Sequence, residues 1–141
     1  MIYPDEKKFL ELASQGNLIP VSREILADTE TPVSAYLKLS GQPGGAAFLL
    51  ESAEPAGRLG RYSFVGSRPA AVMEFRHGRV RLSRSDGRVE EKAPERPDPL
   101  QEVQTMLAGL RPVEAWPEEP PPFAGGAVGF LAFEAVRYFE P

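Results

Sequence analysis

The sequence predicts an α+β fold in which antiparallel β-sheets form part of a sandwich with flanking helices. Two observations carry that prediction. Hydrophobicity changes to a strand-like pattern through short segments between Ala46 and Glu91, and capped stretches of helical period lie on either side of them. With 141 residues the chain suffices for one domain or part of a larger one, and no internal repeat or domain-sized boundary appears.

Each element has a local cause. "YPDEKKFLELASQGN" predicts a first helix with Asp5 as N-cap, Phe9, Leu10 and Ala13 on its inner face, and Gly16 at its stop. A short apolar strand is expected at Leu18 to Val21. "TPVSAYLKLSG" predicts a helix capped by Thr31, with Pro32 at its first position, Val33, Tyr36, Leu37 and Leu39 inward, and Gly41 after its end. "AAFLLE", "RYSFVG", "AVMEFR", "RVRLSR" and "RVEE" then read as an antiparallel meander, with "HG" and "DG" among its turns. Met73, Phe75, Val80 and Leu82 form its buried face. Glu74, Arg79, Arg81 and Ser83 form its wet face.

"DPLQEVQTMLAGL" predicts the third helix, capped by Asp98, with Leu100, Val103, Leu107 and Leu110 in line. Its successor, "RPVEAWPEEPPPF", is expected to be an extended surface connector because its prolines remove backbone donors. The final stretch resumes with a hydrophobic strand from Ala127 to Phe133 and a helical start at Glu134 to Phe139. Its aromatic density is expected to be covered by polypeptide that continues beyond it.

Composition bounds the chemistry. Sixteen basic against 20 acidic residues give a net charge of −4, so no global positive field draws the chain to nucleic acid or to an anionic membrane. A small molecule or a protein is the expected partner. No cysteine is present, which removes disulfides, thiolate zinc sites and cysteine nucleophiles and fits a cytoplasmic setting. No apolar run approaches the roughly 20 residues that span a bilayer.

Catalytic groups are sparse. His77 is the lone histidine and sits in the "HG" turn, which favours a solvated turn residue over an acid–base role, so no serine has an evident histidine base. The acidic residues lack metal-ligand spacing. "GQPGGA" and "AGGAVG" lack the strand–turn–helix of a phosphate loop, and Gly125, Gly126 and Gly129 are expected to build a tightly packed strand. Arg76, Arg79, Arg81, Arg84 and Arg88 could imitate a nucleic-acid-binding ribbon, but Glu74, Asp86, Glu90 and Glu91 interleave with them and favour cross-strand ion pairing.

One stretch breaks the local rules. In "FLLESAEPAGRLGRYSFVG" an apolar strand ends in Glu51 and Ser52, polar groups that cost free energy to bury unless paired, and Arg58, Arg61, Tyr62 and Ser63 return beside them. Residue chemistry leaves two readings open: an ion-paired strand end, or a site for a zwitterion with an apolar side chain, an amino acid.

"GNLIPVSREILADTETPVSAYLKL", "FLLESAEPAGRLGRYSFVGSRP" and "GGAVGFLAFEAVRYFE" resemble, in order and over essentially the whole chain, the amino-terminal region of anthranilate synthase component I, of the chorismate-utilising enzyme family. The resemblance implies an enzyme of tryptophan biosynthesis. Magnesium-bound chorismate is aminated there with ammonia from a glutamine amidotransferase subunit and then eliminates pyruvate to give anthranilate. The family's catalytic residues and magnesium ligands lie in a larger carboxy-terminal region that this sequence lacks. No catalytic or metal-binding residue is therefore assigned here, and residues 1–141 alone are expected to be inactive.

The same resemblance makes this region the regulatory, tryptophan-binding one. Leu49, Leu50, Glu51 and Ser52 match the family's "LLES" motif, which implies that Glu51 and Ser52 hold the ammonium and nearby polar atoms of L-tryptophan while Leu50 packs at the indole. Arg61, Tyr62 and Ser63 of "GRYS" are the further candidates. Two alternatives stand beside this reading, the related aminodeoxychorismate synthase component I and a stand-alone amino-acid-binding regulatory module. "GNLIPV" and "ETPVSAYLKL" favour anthranilate synthase.

Overall fold

The computed structural model describes residues 2–41, 45–51, 62–95, 98–117 and 119–138. Helices and open antiparallel sheets occur together in it, as an α+β fold requires. The chain gathers into two compact units, Met1–Ala27 with Val103–Ala127, and Asp28–Glu102 with Val128–Pro141. Sequence inspection shows no such boundary because each unit joins segments far apart in the chain.

In the first unit β1 (Ile2–Tyr3) pairs antiparallel with β2 (Ser22–Arg23). Helix α1 (Glu6–Leu12) begins at Asp5, whose carboxylate accepts the Lys8 N–H at 2.8 Å, as expected of the cap. Its inner face differs from expectation. Leu12 is buried with Val113 and Ala115, flanked by Tyr3 and Ile19, while Phe9 and Leu10 are 37% and 65% exposed. A helix of seven residues has room for little more than one side chain over so small a core. The strand expected at Leu18 to Val21 reduces to a parallel bridge between Leu18 and Pro112, since Pro20 cannot donate to a ladder.

Asn17 ties this unit together. Its side chain donates to the Gly109 carbonyl at 2.9 Å and accepts the Arg111 N–H at 2.7 Å, while Val113 N–H donates to Leu18 at 2.9 Å. The stretch beginning at Arg111 is extended, but it is not wholly a surface connector: Val113 and Ala115 are 9% and 2% exposed, alternating with exposed neighbours as a strand would.

Helix α2 (Pro32–Ser40) opens the second unit with the expected Thr31 cap, here a reciprocal box in which Ser34 N–H donates to Thr31 at 3.1 Å and Thr31 N–H donates to Ser34 at 2.9 Å. Tyr36 and Leu39 are half-buried, whereas Val33 and Leu37 are exposed against expectation. The helix lies on a two-stranded ribbon that covers only a narrow stripe. That ribbon pairs β3 (Ala47–Glu51) with β4 (Ser63–Ser67). A separate sheet has the order β5 (Ala71–Arg76), β6 (Arg79–Arg84), β7 (Val89–Lys92). The expected single meander breaks after Ser67, where Arg68 takes φ 51° and Pro69 lacks a donor.

On the three-stranded sheet the expected faces form. Val80 is 2% exposed and pairs with Phe75, Met73 pairs with Leu82, and four of the five arginines pair with carboxylates: Arg79 with Glu91 at 2.5 Å, Arg76 with Glu74 at 3.4 Å, Arg84 with Glu90 at 3.5 Å and Arg88 with Asp86 at 2.5 Å. Asp98 caps helix α3 (Pro99–Ala108), accepting the Leu100 N–H at 2.8 Å. The expected apolar line is displaced, because Leu100 and Leu110 are each 43% exposed and Glu102 is buried. Its carboxylate accepts the Glu95 N–H at 2.5 Å and faces Lys92 at 3.4 Å, which supplies the partners a buried charge needs.

The strand expected from Ala127 to Phe133 does not form. A 3-10 helix at Phe133–Tyr138 follows open backbone, and among the described strands none pairs with the segment. Gly125 and Gly126 take φ 142° and 137°, and a Cβ at Gly125 or Gly129 would meet nothing within 4 Å, so these glycines do not build the tightly packed strand expected of them.

Two outcomes test the second unit. A Cβ at Gly66 would overlap the Phe48 ring directly across the ribbon. Gly66→Ala is expected to destabilise by about 1–3 kcal/mol in urea unfolding, and much less in a Phe48→Ala background, where the clash is gone. Equal losses in both backgrounds would contradict the close approach. The Glu30 carboxyl lies below its ordinary value because it accepts hydrogen bonds from Lys38 and then from Ser34. A carboxyl depressed in the folded state contributes stability that is complete above its unfolded pKa and is lost as pH falls through its folded one. Glu30→Gln should therefore flatten the acid side of the stability–pH curve, and an unchanged slope there would remove Glu30 from that dependence.

Candidate functional site

The candidate site is the end of the β3–β4 ribbon, and strand alternation decides its layout. In this register Glu51 lies opposite Ser63, Leu50 opposite Phe64, and Leu49 opposite Val65. Successive side chains point to opposite faces, so Glu51 and Ser63 share one face while Leu50 and Phe64 share the other. Tyr62, one residue before β4, stacks on Phe64 with ring centroids 6.2 Å apart and planes 14° apart, which extends the aromatic face beyond the ladder. Phe48 completes that face over Gly66.

The candidates thus divide. The structure brings Glu51 and Ser63 together as a cross-strand pair, and it places Leu50 with Tyr62 through Phe64. Ser52 and Arg61 lie outside the described residues. Phe64 is the functional candidate that sequence reasoning missed; the alternation of Phe48, Leu50, Tyr62 and Phe64 on neighbouring strands is the signal that could have found it. Leu50 and Tyr62 are 44% and 42% exposed, and Glu51 and Ser63 are exposed as well. A single ligand that touches both groups must therefore reach both faces of the ribbon rather than lie over one.

Such an end offers a carboxylate and a hydroxyl for a cationic or hydrogen-bonding group, with an aliphatic and aromatic wall beside them. Those are the ingredients for an amino acid with an apolar side chain. No reaction is evident there. Among the described residues no group of three His, Asp or Glu side chains could hold a metal ion.

A second polar recess lies on the three-stranded sheet, lined by Glu74, Arg76, His77, Arg79, Arg81 and Glu91. His77 occupies the turn between β5 and β6 at φ 51° and is exposed, the setting expected from the sequence. Arg76 and Arg79 are paired with the two carboxylates of the same recess, and Arg81 is its third arginine. Among the described residues no helix is long and apolar enough to cross a membrane.

Comparison with known proteins supplies relatives over this region. No family model matches the chain, and no solved structure does. Curated relatives do match: anthranilate synthase component 1 of a Synechocystis strain is 42% identical over 142 aligned positions, covering all of this chain and 27% of the relative. The protein of that name from Arthrobacter globiformis is 38% identical over 99% of this chain and 25% of its own length, and that from Pseudomonas aeruginosa is 40% identical over 96% and 27%. This chain thus spans about a quarter of the length of the curated relatives it matches. Over 96–100% of its length the chain is similar to these proteins named anthranilate synthase component 1, across a region that makes up about a quarter of each.

Proposed function

We propose that the chain is the amino-terminal, regulatory region of an anthranilate synthase component I. The observation that carries this reading is the match over 94–100% of the chain at 40–42% identity to several proteins of that name. The whole enzyme converts chorismate and ammonia, delivered by a glutamine amidotransferase subunit, to anthranilate and pyruvate in the cytoplasm. The described residues do not fit a magnesium ion, and in this reading the ion and the chemistry belong to the carboxy-terminal region.

This region contributes the site where L-tryptophan inhibits. Glu51 and Ser52 hold the ammonium and neighbouring polar atoms, Leu50, Tyr62 and Phe64 form the wall for the indole, and Arg61 and Ser63 complete the polar rim. The ribbon-end geometry supports the assignment because it offers both kinds of group to one ligand without burying an unpaired charge in the absence of that ligand. Inhibition follows if tryptophan binds more tightly to the less active arrangement of the enzyme, since a ligand shifts an equilibrium only by its differential affinity.

The full-length enzyme tests this reading. It should form anthranilate from chorismate and ammonia, whereas release of aminodeoxychorismate would assign it to the sister enzyme. Ser52→Phe should raise the tryptophan concentration needed for half-inhibition at least about tenfold, a loss of about 1.4 kcal/mol, with uninhibited turnover kept. Full sensitivity in that variant would remove the site. Glu51→Gln and Ser63→Ala, at exposed positions on the ribbon end, should each leave the urea-unfolding stability within about 1 kcal/mol of the parent while weakening the tryptophan response. Losses well above that would mark the pair as structural instead.

A further inference from the structure

The stretch Val128 to Ala132 reads Val-Gly-Phe-Leu-Ala and contains no polar side chain, yet Val128 is 38%, Leu131 54% and Phe130 92% exposed. Its far end is anchored: in the 3-10 helix that follows, Tyr138 sets its ring edge-on against Phe75 of β5 at 5.2 Å between centroids and 77° between planes. Exposed apolar residues scattered singly are ordinary, whereas a contiguous run marks a surface that something covers. In strand geometry Val128, Phe130 and Ala132 would face one way and Gly129 and Leu131 the other, leaving neither face polar. That pattern belongs to a strand covered on both faces, not to an edge strand with a wet side.

We propose that Val128 to Ala132 forms an interior β-strand of the full-length protein, paired with polypeptide that lies outside these 141 residues and covered by it on both faces. The occupant rests on the reading of this chain as part of a longer one. The matched relatives carry about three-quarters of their length outside the region shared with this chain. A docked helix would cover one face and leave the backbone donors and acceptors of the segment unpaired. A second copy adding its own Val128 to Ala132 strand would satisfy the backbone of one edge only.

Hydrogen exchange on the full-length gene product decides the matter. The amides of residues 128–132 are expected to exchange about 100-fold or more slowly than in a free peptide. Phe130→Lys and Leu131→Lys, on opposite parities, should each abolish that protection and lower the melting temperature. Phe130→Leu and Leu131→Val should keep both. Free-peptide exchange in the parent protein, sensitivity at only one parity, or protection that appears only with rising protein concentration would each overturn the proposal, the last by pointing to a second copy. Anthranilate formation by the same preparation separates the two readings. A protected strand in a protein that makes no anthranilate removes the functional assignment and keeps the strand, and fast exchange in an active enzyme does the reverse.

Discussion

The two-residue period of the β3–β4 ladder is the constraint on which the functional layout depends. With Glu51 opposite Ser63 and Leu50 opposite Phe64, a shift of one residue in register would exchange the polar and apolar groups between faces. The close approach of Phe48 to Gly66 helps hold the register, because no other position of β4 lacks a side chain to make room for the ring. Helix α2 lies against both strands, so the ribbon is supported along its length while Glu51 and Ser63 at the end of the ladder are exposed. A fixed frame with an exposed tip is a suitable place for a recognition site.

Polar groups elsewhere are settled locally. Arg76, Arg79 and Arg84 of the three-stranded sheet find carboxylates on the same or the neighbouring strand, and buried Glu102 finds the Glu95 N–H and Lys92. Lys92 is in turn held above its ordinary value, by its hydrogen bond to Glu95 first and by Glu102 after it. Such pairs add little individually at a surface. Their effect is to neutralise most, though not all, of the positive charge on the sheet.

Much of the fold was legible in the sequence where the cause is local. Asp5, Thr31 and Asp98 cap their helices because each side chain reaches an N–H only two or three residues away, and β5 and β6 occupy the predicted segments because their alternation is regular. What escaped depends on distant partners. Periodicity indicates that a helix has an apolar stripe, but it does not say how wide the supporting surface is, so Val33, Leu37 and Leu100 were expected inward and lie exposed. Val113 and Ala115 were hidden in a proline-rich stretch because their burial comes from Leu12, far earlier in the chain, and from the Asn17 clamp. Glu51 was legible as a local violation, whereas the role of Phe64 needed the register.

The exposure of the ribbon end bears on how regulation could work. A well-bound small ligand has most of its surface covered, typically about 70–90%. Glu51, Leu50, Tyr62 and Ser63 present one side of such an enclosure, and all four remain open to solvent in the described chain. Tight recognition of tryptophan at this place therefore requires a second wall. If that wall moves with the catalytic region, every contact the ligand makes with it is made in one arrangement of the enzyme and lost in the other, which is the differential affinity that couples two sites. A ribbon end that bound tryptophan completely by itself would lack that difference and would bind without regulating. The openness of the site among the described residues is, in the proposed reading, the property that lets it act as a sensor.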